Sequence, residues 1–176
     1  MGNAGPAGSA TSAGTTTPAP LLIRPAAPGD AEAISALILG MADRLTLHPD
    51  GRGAEQFLTT LSPTAILGYV RADNFRYWVG TVGGALAGLV ALRGNTHLYH
   101  LFVAPAWQRR GLAGQLWAHA RDDALTRGPV EAFTVNSSLH AAPVYRAFGF
   151  RDTGPTVEMH GIAFIPMQLP NHRTMR

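Results

Sequence analysis

A strand that leads through a glycine-containing loop into a long helix is the feature that most constrains how this chain can fold. The β-prone run His97–Val103 ends at Ala104-Pro105, and an apolar stripe marks a helix from Gly111 to Arg127. The first amide N–H groups of a helix have no partner within it and lie at the positive end of its dipole. This arrangement predicts a site for a phosphate-bearing ligand at the helix start.

The loop itself fits that interpretation. Gly111 allows the backbone to approach a ligand closely, and Ala113 and Gly114 keep the next turn free of bulky side chains. Arg109 and Arg110 add positive charge and bidentate donors for phosphate oxygens. A Walker A loop is excluded because the chain has no lysine, and no G-x-G-x-x-G dinucleotide fingerprint is present.

The composition narrows the class of protein further. The 176 residues, 46% of them apolar, suit one globular domain, and the absence of cysteine excludes disulfides and thiolate metal sites. The net charge of +3 is too small to argue for nucleic acid as a partner. No run of eighteen apolar residues occurs, so no membrane span and no membrane partner are expected.

The first twenty residues differ from the rest in composition. Eighteen of them are Ala, Gly, Ser, Thr or Pro, and none is charged. Because such a segment cannot offset the entropy of ordering, we expect a disordered tail over 1–20 and a folded domain over 21–172. The tail has neither the basic start nor the apolar run of a secretory signal, so the cytoplasm is the expected location.

Alternating elements follow along the rest of the chain. Their order predicts a mixed α/β fold, in which a central sheet of about seven strands carries helices on both faces. Helices are predicted near 30–44, 53–61, 63–71, 111–127 and 141–148, and strands near 21–24, 75–79, 85–93, 97–103, 130–136, 150–159 and 162–169, the last two meeting at a turn around His160-Gly161.

Two ordered motifs carry a resemblance to a known family. The loop Gln108-Arg109-Arg110-Gly111-Leu112-Ala113 matches a Q/R-x-x-G-x-G/A signature, and Tyr145 through Gly149-Phe150 matches a Y-x-x-x-G-F ending. Over about residues 21–170 the sequence resembles the GNAT superfamily of acyl-CoA-dependent N-acetyltransferases. The resemblance implies that two neighbouring strands of the sheet splay apart at an acetyl-CoA site.

The resemblance also places that co-substrate. It implies that the pyrophosphate lies on the loop amides, that the pantetheine arm pairs with the strand before the loop, and that the Val103 N–H faces the thioester carbonyl. Asn136 and Ser138 follow the partner strand, although the family often has asparagine where Ser138 stands. The implied acetyl-CoA-binding residues are Leu101, Phe102, Val103, Gln108, Arg109, Arg110, Gly111, Leu112, Ala113, Gly114, Asn136 and Ser138.

Acetyl transfer to an amine requires a base for the amine and a proton donor for the departing thiolate. The resemblance assigns Tyr145 as the donor. For the base we favour His100, because Tyr99, Leu101 and Val103 form an alternating apolar series that predicts a core-facing side. His97, Glu131 or a water are the alternatives. His97 and His100 are expected on opposite faces of the strand, so no metal site is predicted.

The expected activity is therefore transfer of acetyl from acetyl-CoA to a primary amine of a small molecule or a peptide. The alternative is a non-catalytic acyl-CoA-binding sensor, which would keep the loop but would need neither Tyr145 nor a base. The resemblance allows a homodimer, although no interface can be read from the sequence. The acceptor is not specified by residues 44–74, which usually form the acceptor wall in this family.

Overall fold

The structure, a computed structural model, describes residues 17–171. Residues 1–16 of the predicted tail, and position 172 at the predicted domain end, lie outside the described residues. Residues 17–20 are exposed and belong to no helix or strand.

The elements alternate along the chain much as the sequence predicts, with short 3-10 turns at 28–30, 42–44 and 105–107. The strands are β1 (Leu21–Pro25), β2 (Phe75–Val82), β3 (Ala85–Arg93), β4 (His97–Val103), β5 (Ala132–Ser138), β6 (Arg151–Asp152), β7 (Val157–Met159) and β8 (Ile162–Pro170). The helices are α1 (Ala31–Leu39), α2 (Glu55–Thr59), α3 (Pro63–Arg71), α4 (Leu112–Arg127) and α5 (Ala142–Ala147).

All eight strands join one mixed sheet in the order β1-β2-β3-β4-β5-β8-β6, with β7 also paired to β8. Neighbours are antiparallel except β4 and β5, which run parallel. A long parallel crossover through α4 joins those two strands, as parallel neighbours require. The predicted fold class is confirmed.

Helices cover both faces of this sheet, and each face has its own apolar core. On one face α4 and α5 pack through Leu116, Trp117 and Tyr145. On the other, α1 and α3 pack through Ile34, Ile38 and Ile66. The strand β4, at the centre of the sheet, lies between the two cores and contributes side chains to both.

The strands β4 and β5 pair over only two positions, His97 with Thr134 and Leu98 with Val135. Beyond Leu98 they separate, so the remaining residues of β4 have no hydrogen-bonding neighbour on that side within the described chain. The splayed strands implied by the family resemblance are therefore present.

Two cross-strand glycines allow α4 to lie close to the sheet. Gly80 pairs with Gly88, and a Cβ on Gly88 would lie 2.9 Å from Leu116 Cδ1 and 2.7 Å from the Phe102 carbonyl oxygen. Since real Cβ atoms do not approach so closely, the glycines make room for Leu116. This contact holds α4 near the end of β4, where the loop begins.

The predicted strand over 150–159 is wrong as a single element. It is two short strands, β6 and β7, separated by 153–156. Both pair with β8, and the Thr153 amide still donates to the Pro166 carbonyl oxygen at 2.9 Å. Gly154 and Pro155 interrupt the ladder, because proline has no N–H to donate.

Within residues 17–171 no helix has the length and apolar character to cross a membrane.

Candidate active site

A bulge in β4 decides which side chains reach the centre of the sheet. Ala91 pairs with His100 and Leu92 with Leu98, so Tyr99 has no partner of its own on β3. The rings of Tyr99 and His100 stack with centroids 4.4 Å apart, although neighbours on a regular strand face opposite sides. The predicted alternation of β4 is therefore wrong at Tyr99.

The same bulge places His100 on the same face of the sheet as Tyr99, where it is buried. Only 8% of His100 is exposed, whereas Tyr99, Leu101 and Val103, predicted to be the core series, are half-buried. Its Nδ1 lies 2.8 Å from the Tyr77 hydroxyl. Burial lowers the pKa of His100 to about 3, which keeps the imidazole neutral at pH 7.

His97 lies at the point where β4 and β5 still pair. It is half-buried, and its Nδ1 lies 2.8 Å from the Thr134 hydroxyl on β5. Burial, and the nearby positive charge of Arg93, lower the pKa of His97. Because Arg93 and His97 are cross-strand partners and Arg93 covers the Tyr99 ring, His97 lies on the same face as Tyr99. His100 shares that face across the bulge, so the prediction that the two histidines lie on opposite faces is wrong.

Tyr145 is held in place by the turn that ends α5. Gly149 has φ +97°, which lets the chain reverse so that the Phe150 N–H donates to the Tyr145 carbonyl oxygen at 3.0 Å. The Phe150 ring then packs in the core 5.7 Å from the Tyr145 ring. Tyr145 is 6% exposed, and burial raises the pKa of its phenol, so the hydroxyl keeps its proton at neutral pH.

The loop before α4 has the backbone of an anion-binding turn. Arg109 has φ +62° and Gly111 has φ +77°, and both residues are exposed. Left-handed residues within such a loop direct successive N–H groups towards one side. A Cβ on Gly111 would meet no atom within 4 Å, so the space beside the loop is open.

Gln108 connects this loop to the strand before it. Its side-chain amide donates to the Val103 carbonyl oxygen at 3.0 Å, and its amide oxygen accepts from Arg44 at 3.4 Å. The end of β4 and the beginning of the loop are thus fixed to each other through one side chain.

A cavity of about 240 Å³ lies at the divergence of β4 and β5. It brings together predicted site residues from distant segments of the sequence, which are His97, His100, Leu101, Phe102, Asn136, Ser138 and Tyr145. Val103 and the loop residues 108–114 lie beyond it, at the end of β4 and the start of α4. Glu131 is exposed and does not line the cavity.

Leu45 and Phe57 line the cavity from within 44–74, the segment expected to form the acceptor wall. Three further walls were not predicted, which are Ile162 and Phe164 from β8 and Arg93 from the end of β3. These residues meet only after the sheet forms, and no local sequence pattern marks them. No group of three or more His, Asp or Glu suited to a metal ion occurs within the described residues.

A family model described as an acetyltransferase (GNAT) domain matches residues 45–170. The chain belongs to the GNAT acetyltransferase family. Membership of this family makes the chain an acyltransferase, and acetyl-CoA is the acyl donor that the family uses. The predicted family and enzyme class are confirmed. No curated protein matches the chain.

Solved structures of other GNAT proteins have the same fold. A GCN5-related N-acetyltransferase (Aminotransferase, Class-II) from Rhodopseudomonas palustris is 21% identical with a TM-score of 0.71, covering 90% of this chain and 100% of that one. The PaiA N-acetyltransferase from Thermoplasma acidophilum, in complex with coenzyme A, is 15% identical with a TM-score of 0.69, covering 86% and 99%. A variant of the spermidine N-acetyltransferase SpeG from Vibrio cholerae is 19% identical with a TM-score of 0.63, covering 89% and 96%.

Proposed function

We propose that this GNAT protein transfers the acetyl group of acetyl-CoA directly to a primary amine inside the gap between β4 and β5. The observation that carries the proposal is the cavity at that gap, which joins an unpaired strand edge to the Tyr145 side chain. Acetyl-CoA supplies the acetyl group as a thioester, and a small-molecule or peptide amine accepts it.

The exposed edge of β4 suits the pantetheine arm. The Ala104 N–H donates to the Ala87 carbonyl oxygen on β3 at 2.8 Å. Since alternate amides of a strand point to opposite edges, the Val103 and Leu101 N–H groups point into the gap. An extended chain of amides can pair there as an added strand would, and the Val103 N–H is then placed to polarise the thioester carbonyl.

The loop before α4 suits the pyrophosphate. Residues 109–111 are exposed and lie at the amino end of a helix of 16 residues, where unpaired N–H groups and the helix dipole favour an anion. Arg109 and Arg110 add exposed charge. Asn136 and Ser138 on β5 line the cavity and face acetyl-CoA from the other side of the gap. The Ser138 hydroxyl also accepts from the Ala141 amide at 3.2 Å.

Tyr145 is the proposed proton donor to the departing thiolate. It lines the cavity, and its hydroxyl makes no hydrogen bond to another described residue, so its proton is available there. The amine nitrogen forms its bond to the carbonyl carbon while the carbon–sulfur bond breaks. The phenol then protonates the sulfur, and the proton lost by the amine goes to the base.

A histidine of β4 is the proposed base, acting directly or through a water. His100 is the predicted choice, and its neutral form can accept a proton through Nε2 when Nδ1–H donates to the Tyr77 oxygen. His97 lines the same cavity in a more exposed position. The kcat/KM values of H97Q and H100Q at pH 7.5 separate the two, because only the variant that has lost the base is expected to lose about 10²- to 10⁴-fold in rate.

Two measurements test the proposed activity. Acetyl-CoA at millimolar concentration is expected to raise the melting temperature, because a ligand that binds only the folded state stabilises it. Release of free CoA thiol across a panel of amines then shows transfer. Stabilisation without thiol release for any amine would favour the acyl-CoA sensor, and no stabilisation would contradict the proposed acetyl-CoA site.

A further inference from the structure

Among the described residues, the wall of the cavity carries positive charge on one exposed residue, Arg93, and no negative charge. Arg93 is the one charged side chain that lines it within the described chain, and neither Asp nor Glu contributes to its wall. The two histidines of the wall, His97 and His100, have pKa values lowered by burial and are mainly neutral at pH 7. A second ammonium group on an acceptor would therefore meet Arg93 and no counter-charge.

Arg93 is free to bind an anion. Its guanidinium carbon lies 5.4 Å from the centre of the Tyr99 ring, which restrains the side chain through a cation–π contact. Unlike Arg24, Arg76, Arg121, Arg127 and Arg146, it has no carboxylate partner among residues 17–171. A restrained guanidinium with unused donors is suited to bidentate binding of a carboxylate.

The rest of the acceptor side is apolar and small. Leu45, Phe57, Ile162 and Phe164 line the cavity together with Phe102. The volume of about 240 Å³ is below the roughly 300–1,000 Å³ of sites for drug-sized ligands. These walls favour a compact acceptor with an apolar substituent.

We propose that the acceptor is a small amino carboxylate, in which Arg93 binds the carboxylate, the apolar walls contact the side chain and the amine faces the thioester. This inference rests on the proposed acetyl transfer and adds the class of acceptor. The reaction forms the N–acetyl bond of an N-acylated amino acid and releases CoA as the thiol. Arg93 is a specificity-determining residue in this scheme and takes no part in proton transfer.

Matched acceptors test the role of the carboxylate. Phenylalanine, phenylalaninamide and phenethylamine share an aromatic group and an amine, and only the first carries a carboxylate. Leucine, leucinamide and isoamylamine form a second such set, and spermidine represents polycations. In each set we expect kcat/KM, measured by thiol release, to be about ten- to a hundredfold higher for the amino acid than for its amide or its simple amine. This is the range for hydrogen bonds to a charged group.

Substitution of Arg93 tests the assignment to this residue. In R93Q the KM for the carboxylate acceptor is expected to rise about ten- to a hundredfold with kcat little changed, and the preference over the amide to disappear. R93K is expected to recover part of the preference, because the charge remains but the bidentate geometry is lost. R151Q removes an exposed arginine on β6 that does not line the cavity, and serves as the control.

Three results would overturn the inference. Equal or faster turnover of the amides, the simple amines or spermidine would contradict it while leaving the proposed transfer intact. A carboxylate preference that survives in R93Q would contradict the assignment to Arg93. No thiol release with any of these amines or with peptides would contradict the proposed function itself.

Discussion

The side-chain amide of Gln108 donates a hydrogen bond to the carbonyl oxygen of Val103 at 3.0 Å. Val103 ends the strand proposed to bind the pantetheine arm, and Gln108 begins the loop proposed to bind the pyrophosphate. One hydrogen bond thus sets the distance between two parts of the acetyl-CoA site. Arginine can donate to the same carbonyl, which gives a physical reason for the Q/R position of the family motif.

Loss of this hydrogen bond is expected to weaken acetyl-CoA binding. In Q108L the side chain keeps its approximate size but donates nothing, so we expect the KM for acetyl-CoA to rise about tenfold, the equivalent of one hydrogen bond. Steady-state kinetics at saturating amine measure this. Q56L, an exposed glutamine on α2, is the matched control, and an unchanged KM in Q108L would contradict the positioning role.

The charge of Arg109 can be separated from its backbone conformation. R109G removes the guanidinium, and glycine adopts the φ of +62° without steric cost. R109A removes the same charge but keeps a Cβ on a residue in this left-handed conformation, which is unfavourable. We expect both to raise the KM for acetyl-CoA by about two- to fivefold at low salt and less at high salt, as for an exposed ion pair. R109A is also expected to be less stable than R109G. Equal KM values for the wild type and R109G at low salt would contradict a contact with the pyrophosphate.

Much of this site could be predicted because its parts lie in continuous segments. The strand His97–Val103 has the predicted bounds, and the loop and the start of α4 follow it directly. The helix predicted over 63–71 is confirmed as well, and the side chain of Ser62 caps it by accepting from the Ala65 amide at 3.2 Å. These features depend on local hydrogen bonding and on residue type.

The bulge at Tyr99 could not be predicted, because it depends on the register of β4 against β3. A one-residue change of register moves a side chain to the other face, so the prediction that Tyr99 shares a face with Leu101 and Val103 was wrong. Arg93 was likewise missed as a wall of the cavity, since its role depends on the Tyr99 ring that the bulge turns towards it.

The close approach of β3 and α4 predicts a strong effect at Gly88. In G88A the new Cβ would overlap the Phe102 carbonyl oxygen and Leu116, so we expect a loss of about 1–3 kcal/mol of unfolding free energy. Urea titration measures it. G68A is the matched control, because Gly68 lies within α3 with no atom within 4 Å of an added Cβ, and alanine there is expected to stabilise by about 0.5–1 kcal/mol. A G88A protein as stable as the wild type would contradict the packing described.

Burial of His100 predicts a stability that falls with acidification. Its pKa is about 3 in the folded protein and near 6.5 when exposed, so below pH 6.5 the unfolded chain binds a proton that the folded chain does not. The contribution of neutral His100 is complete above pH 6.5 and is lost towards pH 3, at about 1.4 kcal/mol per pH unit. His97, whose pKa is also lowered, adds in the same direction.

Urea unfolding at intervals between pH 4.5 and 7.5 measures this slope. H100Q is expected to have a flatter dependence than the wild type, whatever its absolute stability. H140Q removes an exposed histidine and is expected to keep the wild-type slope. An identical slope in H100Q and the wild type would show that His100 does not titrate as its burial requires.

The central claim, acetyl transfer with Tyr145 as the proton donor, is tested most directly by thiol release from acetyl-CoA in the wild type and in Y145F. Phenylalanine keeps the ring among Phe148 and Phe150 and removes only the hydroxyl, so folding and the acetyl-CoA-dependent rise in melting temperature are expected to persist. We expect kcat to be about 10²- to 10⁴-fold lower in Y145F, the usual range for loss of a general acid. Wild-type kcat in Y145F would contradict it.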